Sequence, residues 1–260
     1  MKFQALAVSD VSPARYQGAS SYLINDNLLI DAGTIGLWGT ADDQANIKHV
    51  LITHAHIDHI STLPLFVENA YTPGPHGPTI HGHPETLDTL HRQLFNGKIW
   101  PDFLAMSTPD NTFMTFNPIA PEKTFTLAGL RITPIAVDHD VPTYGYIVQD
   151  DHCAIVFGGD SAPTTRLWEV ANTLDTPVAA VVMEASFPNN MKWLAEESFH
   201  MTPDMFGVEM DKLNTSNNTR FLAVHLKPRH QHTITTELAA LNRSNLEVAK
   251  MNHVYEVGRG

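Results

Sequence analysis

Residues 53–60, "THAHIDHI", follow the apolar run "HVLI" of residues 49–52 and place His54, His56, Asp58 and His59 within six consecutive positions. An aliphatic, β-branched run with a polar cluster directly behind it reads as a strand delivering side chains to its C-terminal end. In an extended loop the alternating His54 and His56 point to one side. Asp58 and His59, at the start of a helix-like turn, point to a neighbouring position. Imidazole and carboxylate donors without thiolate suit Zn, Mn or Fe, so the stretch predicts two adjacent metal positions. The plainer alternative is a helix N-terminus with Asp58 as its cap and surface histidines around it.

Four donors do not fill two sites, and three more stand at the ends of other apolar runs: His139 in "VDHD", Asp160 in "GGDS" and His225 in "AVHL". A third histidine completes one site with His54 and His56, His225 joins Asp58 and His59 at the other, and the Asp160 carboxylate can bridge both. The runs "LLID", "LITH", "IAVDH", "VFGGD", "VVME" and "LAVH" all end in His, Asp or Glu. Strand ends meeting on one edge bring residues distant in sequence into one pocket, the usual place for chemistry in layered α/β proteins.

Strands are predicted at 20–24, 27–33, 49–54, 131–137, 144–148, 153–160, 178–185 and 220–225, and helices at 84–95, 164–174, 191–199, 202–213 and 233–244. The mixture indicates α/β layering over 1–260 as one domain, with no repeat at a fixed period. Residues 69–118 interrupt the strand rhythm and are expected to form a lid or insertion over the pocket. The formal charge of −12, with Lys and Arg scattered singly, argues against a nucleic-acid polymer and for a small ligand. Cys153 is the sole cysteine and sits in "CAIVF", a core setting; an internal disulfide is excluded and a reducing cytoplasm fits. The opening "MKFQALAVSDVSPARY" lacks an export-type apolar segment, and no stretch approaches the 18 apolar residues of a membrane span.

"THAHIDH", the distant His139, the "GGDS" aspartate and the "AVHL" histidine together resemble the binuclear metallo-β-lactamase superfamily. That resemblance implies a four-layer αββα sandwich and two divalent metal ions, Zn first, with Mn or Fe as alternatives. The stretches "LFNGKIWPDF", "FGGDSAP", "EASFPNNMKWLAEESFHMTPDMF" and "AVHLKP" are similar to the class II cyclic-nucleotide phosphodiesterases of that superfamily. They imply hydrolysis of cyclic AMP or cyclic GMP to the 5'-monophosphate, with Asp160 among the catalytic residues. By the same resemblance Asp31 in "LLIDAG" supports the metal site from behind, though an Asp before Gly is also an ordinary turn former. His200 in "SFHMTP" resembles a phosphate-contacting histidine and would act as general acid, oriented by Glu184. The alternative is a loop histidine over a buried, hydrogen-bonded acid.

Rival functions share the metals: tRNA 3'-processing or another nucleic-acid phosphodiesterase, a lactone, thioester or sulfate-ester hydrolase, and a non-catalytic module that binds cyclic nucleotide or metal. A homodimer is left open. His49, His76, His81, His83, His91, His230 and His232 find no place in the donor count and are expected at the surface or behind the site. Trp100, Phe95 and Phe103 are expected to pack as a lid or core cluster, with purine stacking as the alternative. Asp138 and Asp140, flanking His139, are given no role.

Overall fold

Short strands that are apolar on both faces need cover on both sides, and the computed structural model, which describes residues 1–7 and 19–258, supplies it with two stacked sheets between helices. The first sheet contains β1 (Lys2–Ala5), β2 (Tyr22–Ile24), β3 (Leu28–Ile30), β4 (His49–Leu51), β5 (Thr79–Gly82) and β6 (Thr115–Pro118). The second contains β7 (Phe125–Leu127), β8 (Leu130–Val137), β9 (Thr143–Gln149), β10 (Ala154–Phe157), β11 (Val178–Glu184), β12 (Arg220–Val224) and β13 (Leu246–Val248). β14 (Val254–Glu256) returns to the first sheet beside β1.

Both sheets follow one plan. From β14 through β1 and β2 to β3 the neighbours run antiparallel, and from β3 to β6 parallel. From β7 to β10 they run antiparallel, and from β10 to β13 parallel. The likeness is one of topology and leaves no fixed sequence period, because the connections differ in length.

Side chains alternate between two apolar layers, as the pleat demands. Leu28, Ile30, Ile155, Phe157, Leu222 and Val224 meet between the sheets. Ala154, Val156, Phe221 and Ala223 face Leu167, Trp168, Phe206 and Ile234 of the outer helices, while Leu29, Val50 and Ile52 face Leu63, Phe66 and Leu87 on the other side. The result is the αββα sandwich expected. The helices Leu63–Ala70, Pro84–Thr89 and Pro203–Met210 each carry Pro in their first turn, where its missing N–H is not needed. Among the described residues no helix is long and apolar enough to cross a membrane.

Residues 69–118 contribute to the first sheet. Rather than only inserting over a pocket, they supply β5 and β6, which extend the first sheet beyond β4. Phe95 and Phe103 are buried in the layer between that sheet and its helices, and Trp100 packs against the same layer.

The connection after β3 comes close to the metal-type loop. Gly33 N donates to Ser20 O, and Ser20 N donates to Asp58 O. A Cβ on Gly33 would lie 2.0 Å from Asp58 O and 2.6 Å from Ala19 Cβ, so only glycine fits without moving backbone. Gly33→Ala is expected to cost about 1–3 kcal/mol, the usual range for overpacking. Urea melts of the metal-free protein check this, and a midpoint equal to wild type would show that the Asp58 loop yields freely.

Candidate metal and acid–base site

The side chains of interest stand where strands of both sheets end. His54 follows β4, Asp31 follows β3, Asp160 and His225 follow β10 and β12, His139 follows β8, and Glu184 closes β11. Asp31 and His225 adopt left-handed backbone, φ 58° in each, an uncommon state for residues with a Cβ. Donor atoms of His54, His56 and His139 lie within 4.8 Å of one another, as do those of Asp58, His59 and His225. Asp160 groups with His54 and His59, and also with His200 and His225. All seven residues expected as ligands are therefore together, in overlapping groups that also take in His200.

Each imidazole in the cluster is held by at least one ring nitrogen. His59 Nδ1 is 2.7 Å from Asp31 Oδ2, and Asp31 also accepts from Thr53 N and Thr53 Oγ1, at 2.8 Å each. His54 Nδ1 meets Thr53 Oγ1 at 3.0 Å, His225 Nδ1 meets Ser186 Oγ at 2.9 Å, and His139 Nδ1 meets Phe199 O at 3.3 Å. His56 is turned the other way: Nε2 lies 3.4 Å from Asp140 Oδ1, while Nδ1 lies 3.3 Å from His139 Nε2. Outer partners of this kind fix tautomer and ring orientation in metal sites.

Two inward atoms are not satisfied by protein. His54 Nε2 and His59 Nε2 are buried without a hydrogen bond; His59 Nε2 is 3.4 Å from Asp160 Oδ2 but lacks bonding geometry. Such orphans cost about 1–3 kcal/mol each unless a ligand engages them. Nitrogen and carboxylate donors converging on that space fit divalent metal ions.

The charges agree. Burial strongly disfavours charge on His54, and neighbouring His59 adds to this, so its pKa lies well below the usual histidine range. Burial also opposes charge on His59, but Asp160 and Asp31 outweigh it and hold its pKa well above that range. Asp160 is buried, yet His225 and His59 hold its carboxyl well below the ordinary range.

His200 and Glu184 form a second unit against this cluster. His200 Nδ1 lies 2.8 Å from Glu184 Oε1 and 4.0 Å from Asp160 Oδ2. Glu184 is fully buried and also accepts from Ser161 N at 2.8 Å. Burial works against charge on His200, but Glu184 prevails and raises its pKa. Its Nε2 remains as the nitrogen not engaged by Glu184.

The remaining histidines stay apart from the cluster. His76, His91 and His232 are exposed, and His83 accepts from Glu85 N at the start of its helix. His81 departs from the surface expectation: it is 2% exposed, 3.2 Å from His49 and 2.8 Å from Asn117, and burial followed by His49 lowers its pKa to about 4. Reading the sequence passed over Thr53, Ser186 and the Phe199 carbonyl and gave Asp140 no role. Two of these had a signal: Asp140 adjoins His139, and Ser186 stands two residues after Glu184, on the same side of an extended chain.

The family described as Beta-lactamase superfamily domain matches residues 26–226, and the chain belongs to it. It is 29% identical over 196 residues to 3',5'-cyclic-nucleotide phosphodiesterase 1 of Saccharomyces cerevisiae, covering 66% of this chain and 52% of that protein. A probable 3',5'-cyclic-nucleotide phosphodiesterase of Yersinia pestis is 25% identical over 187 residues, 65% of this chain and 51% of that one. The chain thus spans about half the length of these curated relatives. The crystal structure of unliganded yeast PDE1 superposes with a TM-score of 0.77 at 18% identity, covering 99% of each chain, a likeness of fold.

Proposed function

We propose that this protein is a dinuclear metal-dependent phosphodiesterase that opens 3',5'-cyclic AMP or cyclic GMP to the nucleoside 5'-monophosphate. The observation that carries the reading is the buried His200–Glu184 pair set directly against a seven-donor cluster. The names of the curated relatives support the substrate class. His54, His56 and His139 would hold one ion, Asp58, His59 and His225 the other, and Asp160 both; Zn suits the donors best, with Mn or Fe as alternatives. Bound, such ions supply a nucleophilic water at neutral pH and offset phosphoryl charge.

The chain's own residues do the rest. Hydrolysis places the water oxygen on phosphorus and a proton on the departing 3' oxygen, so a general acid beside that oxygen is required. His200 carries that proton, and Glu184 keeps the imidazole charged and oriented. Asp31 and Thr53 lock His59 and His54 from behind. A cytoplasmic setting fits the buried, unpaired Cys153, and the acidic net charge of −12 favours a small diester over a polyanion.

Zinc-reconstituted protein is tested with cyclic AMP, cyclic GMP, an aryl phosphodiester and a lactone, with products resolved by chromatography. The expected product is the 5'-monophosphate. Accumulation of the 3'-monophosphate, or rapid lactone hydrolysis with no turnover of either cyclic nucleotide, would overturn the assignment.

A further inference from the structure

We infer that Ser186 is a positioning residue that joins the His200–Glu184 pair to His225, so that the proton donor and one metal position are built on a single hydrogen-bonded chain. The inference rests on the metal reading of Asp58, His59 and His225, and adds a role for a residue outside the seven donors and the acid–base pair.

Ser186 is fully buried, and its Oγ has one proton to give and lone pairs to receive. Three partners surround it: Glu184 Oε2 in a very short contact, His225 Nδ1 at 2.9 Å and His225 O at 3.1 Å. A carboxylate can only accept, so the proton goes to Glu184, in the shorter and charge-assisted bond. Nδ1 of His225 must then be the donor to Ser186. Nε2 of His225 faces the other way, hydrogen-bonded to Asp58 Oδ2 at 3.1 Å and 3.3 Å from Asp160 Oδ2.

The other end of the chain is equally constrained. Glu184 Oε1 accepts from Ser161 N and His200 Nδ1, whereas Oε2 has Ser186 and only a long 3.4 Å contact from Met201 N. Removing the Ser186 hydroxyl would leave one oxygen of a buried carboxylate nearly unsatisfied, at the centre of the acid–base pair. The backbone of Ser186 pins the same two loops: Ser186 N donates to Met201 O at 3.0 Å, beside His200, and Lys227 N donates to Ser186 O at 3.2 Å, beside His225. One residue at the end of β11 therefore sets the distance between the proton donor and the His225 metal position.

The test is zinc titration calorimetry on metal-free, folded protein, with the cyclic-nucleotide rate as a second readout. Ser186→Ala is expected to weaken one of the two zinc sites about 10–100-fold, as loss of an outer partner does, and to leave the other within about twofold. Ser186→Thr, which keeps the hydroxyl, is expected to restore most of that affinity. Glu184→Gln should weaken the same zinc site by a smaller factor, and this effect should vanish in the Ser186→Ala background, because both act through one chain. Wild-type affinity for both zinc ions in Ser186→Ala, or full additivity of the two substitutions, overturns the inference. Should Ser186→Ala fail to fold, Glu184→Gln alone decides: loss at one zinc site supports the bridge and no change at either refutes it. These affinities need no substrate. A wild-type protein inert toward cyclic nucleotides would sink the function proposed above and leave the Ser186 result standing.

Discussion

His200→Ala is expected to slow hydrolysis of cyclic AMP by about 10²–10⁴-fold, the usual contribution of a general acid, while an aryl phosphodiester loses far less. The contrast follows from the leaving groups. The sugar 3' alkoxide departs as a strong base and needs a proton, whereas an acidic phenolate leaves without one. Metal content at saturation should remain two ions per chain, because His200 Nδ1 is taken by Glu184 and the seven other donors are untouched. Glu184→Gln should show the same selectivity more weakly, since it removes the charge that raises the His200 pKa and keeps the imidazole in place. Rates on the two substrates with elemental analysis of each variant form the measurement. Equal losses on both substrates would move His200 from proton donation to phosphate binding.

The order of the site along the chain was legible because a strand ends where its apolar run ends, and polar residues at six such ends have few other reasons to be there. "LITH", "VFGGD" and "LAVH" lead directly to His54, Asp160 and His225 in the structure. The edge strands were not legible. β6, "TFNP", is short and largely exposed, and β7, "FTL", alternates over only three residues, too few to mark a strand. β5 was hidden for a different reason: in "TIHG" the buried histidine reads as polar until His49 and Asn117 are seen beside it. Outer partners were the least visible part of the site. A carbonyl such as that of Phe199 has no side-chain signature, and its direction depends on a left-handed residue, φ 53°, that nothing in "ESFHM" announces.

Asp160→Asn should have the largest effect on metal content. Asp160 Oδ2 lies 3.4 Å from His59 Nε2 and 3.3 Å from His225 Nε2, and the same carboxylate groups with His54, so it adjoins both halves of the cluster. The amide preserves shape and burial but removes the anionic donor that two adjacent cations would share, and among the described residues no second carboxylate groups with both halves: Asp58 groups with only His59 and His225. Zinc bound after saturating reconstitution should fall from two ions per chain to one or fewer. Turnover should fall by more than the roughly 10–100-fold that loss of a mere outer partner costs. His225→Ala supplies the comparison, because it strips only the half containing Asp58 and His59 and should leave the His54, His56 and His139 position filled. Elemental analysis and rates on all three proteins separate the cases. If Asp160→Asn retained two zinc ions at wild-type affinity, the carboxylate would not be shared, and its depressed pKa would reflect only the pairing with His225 and His59 seen without metal.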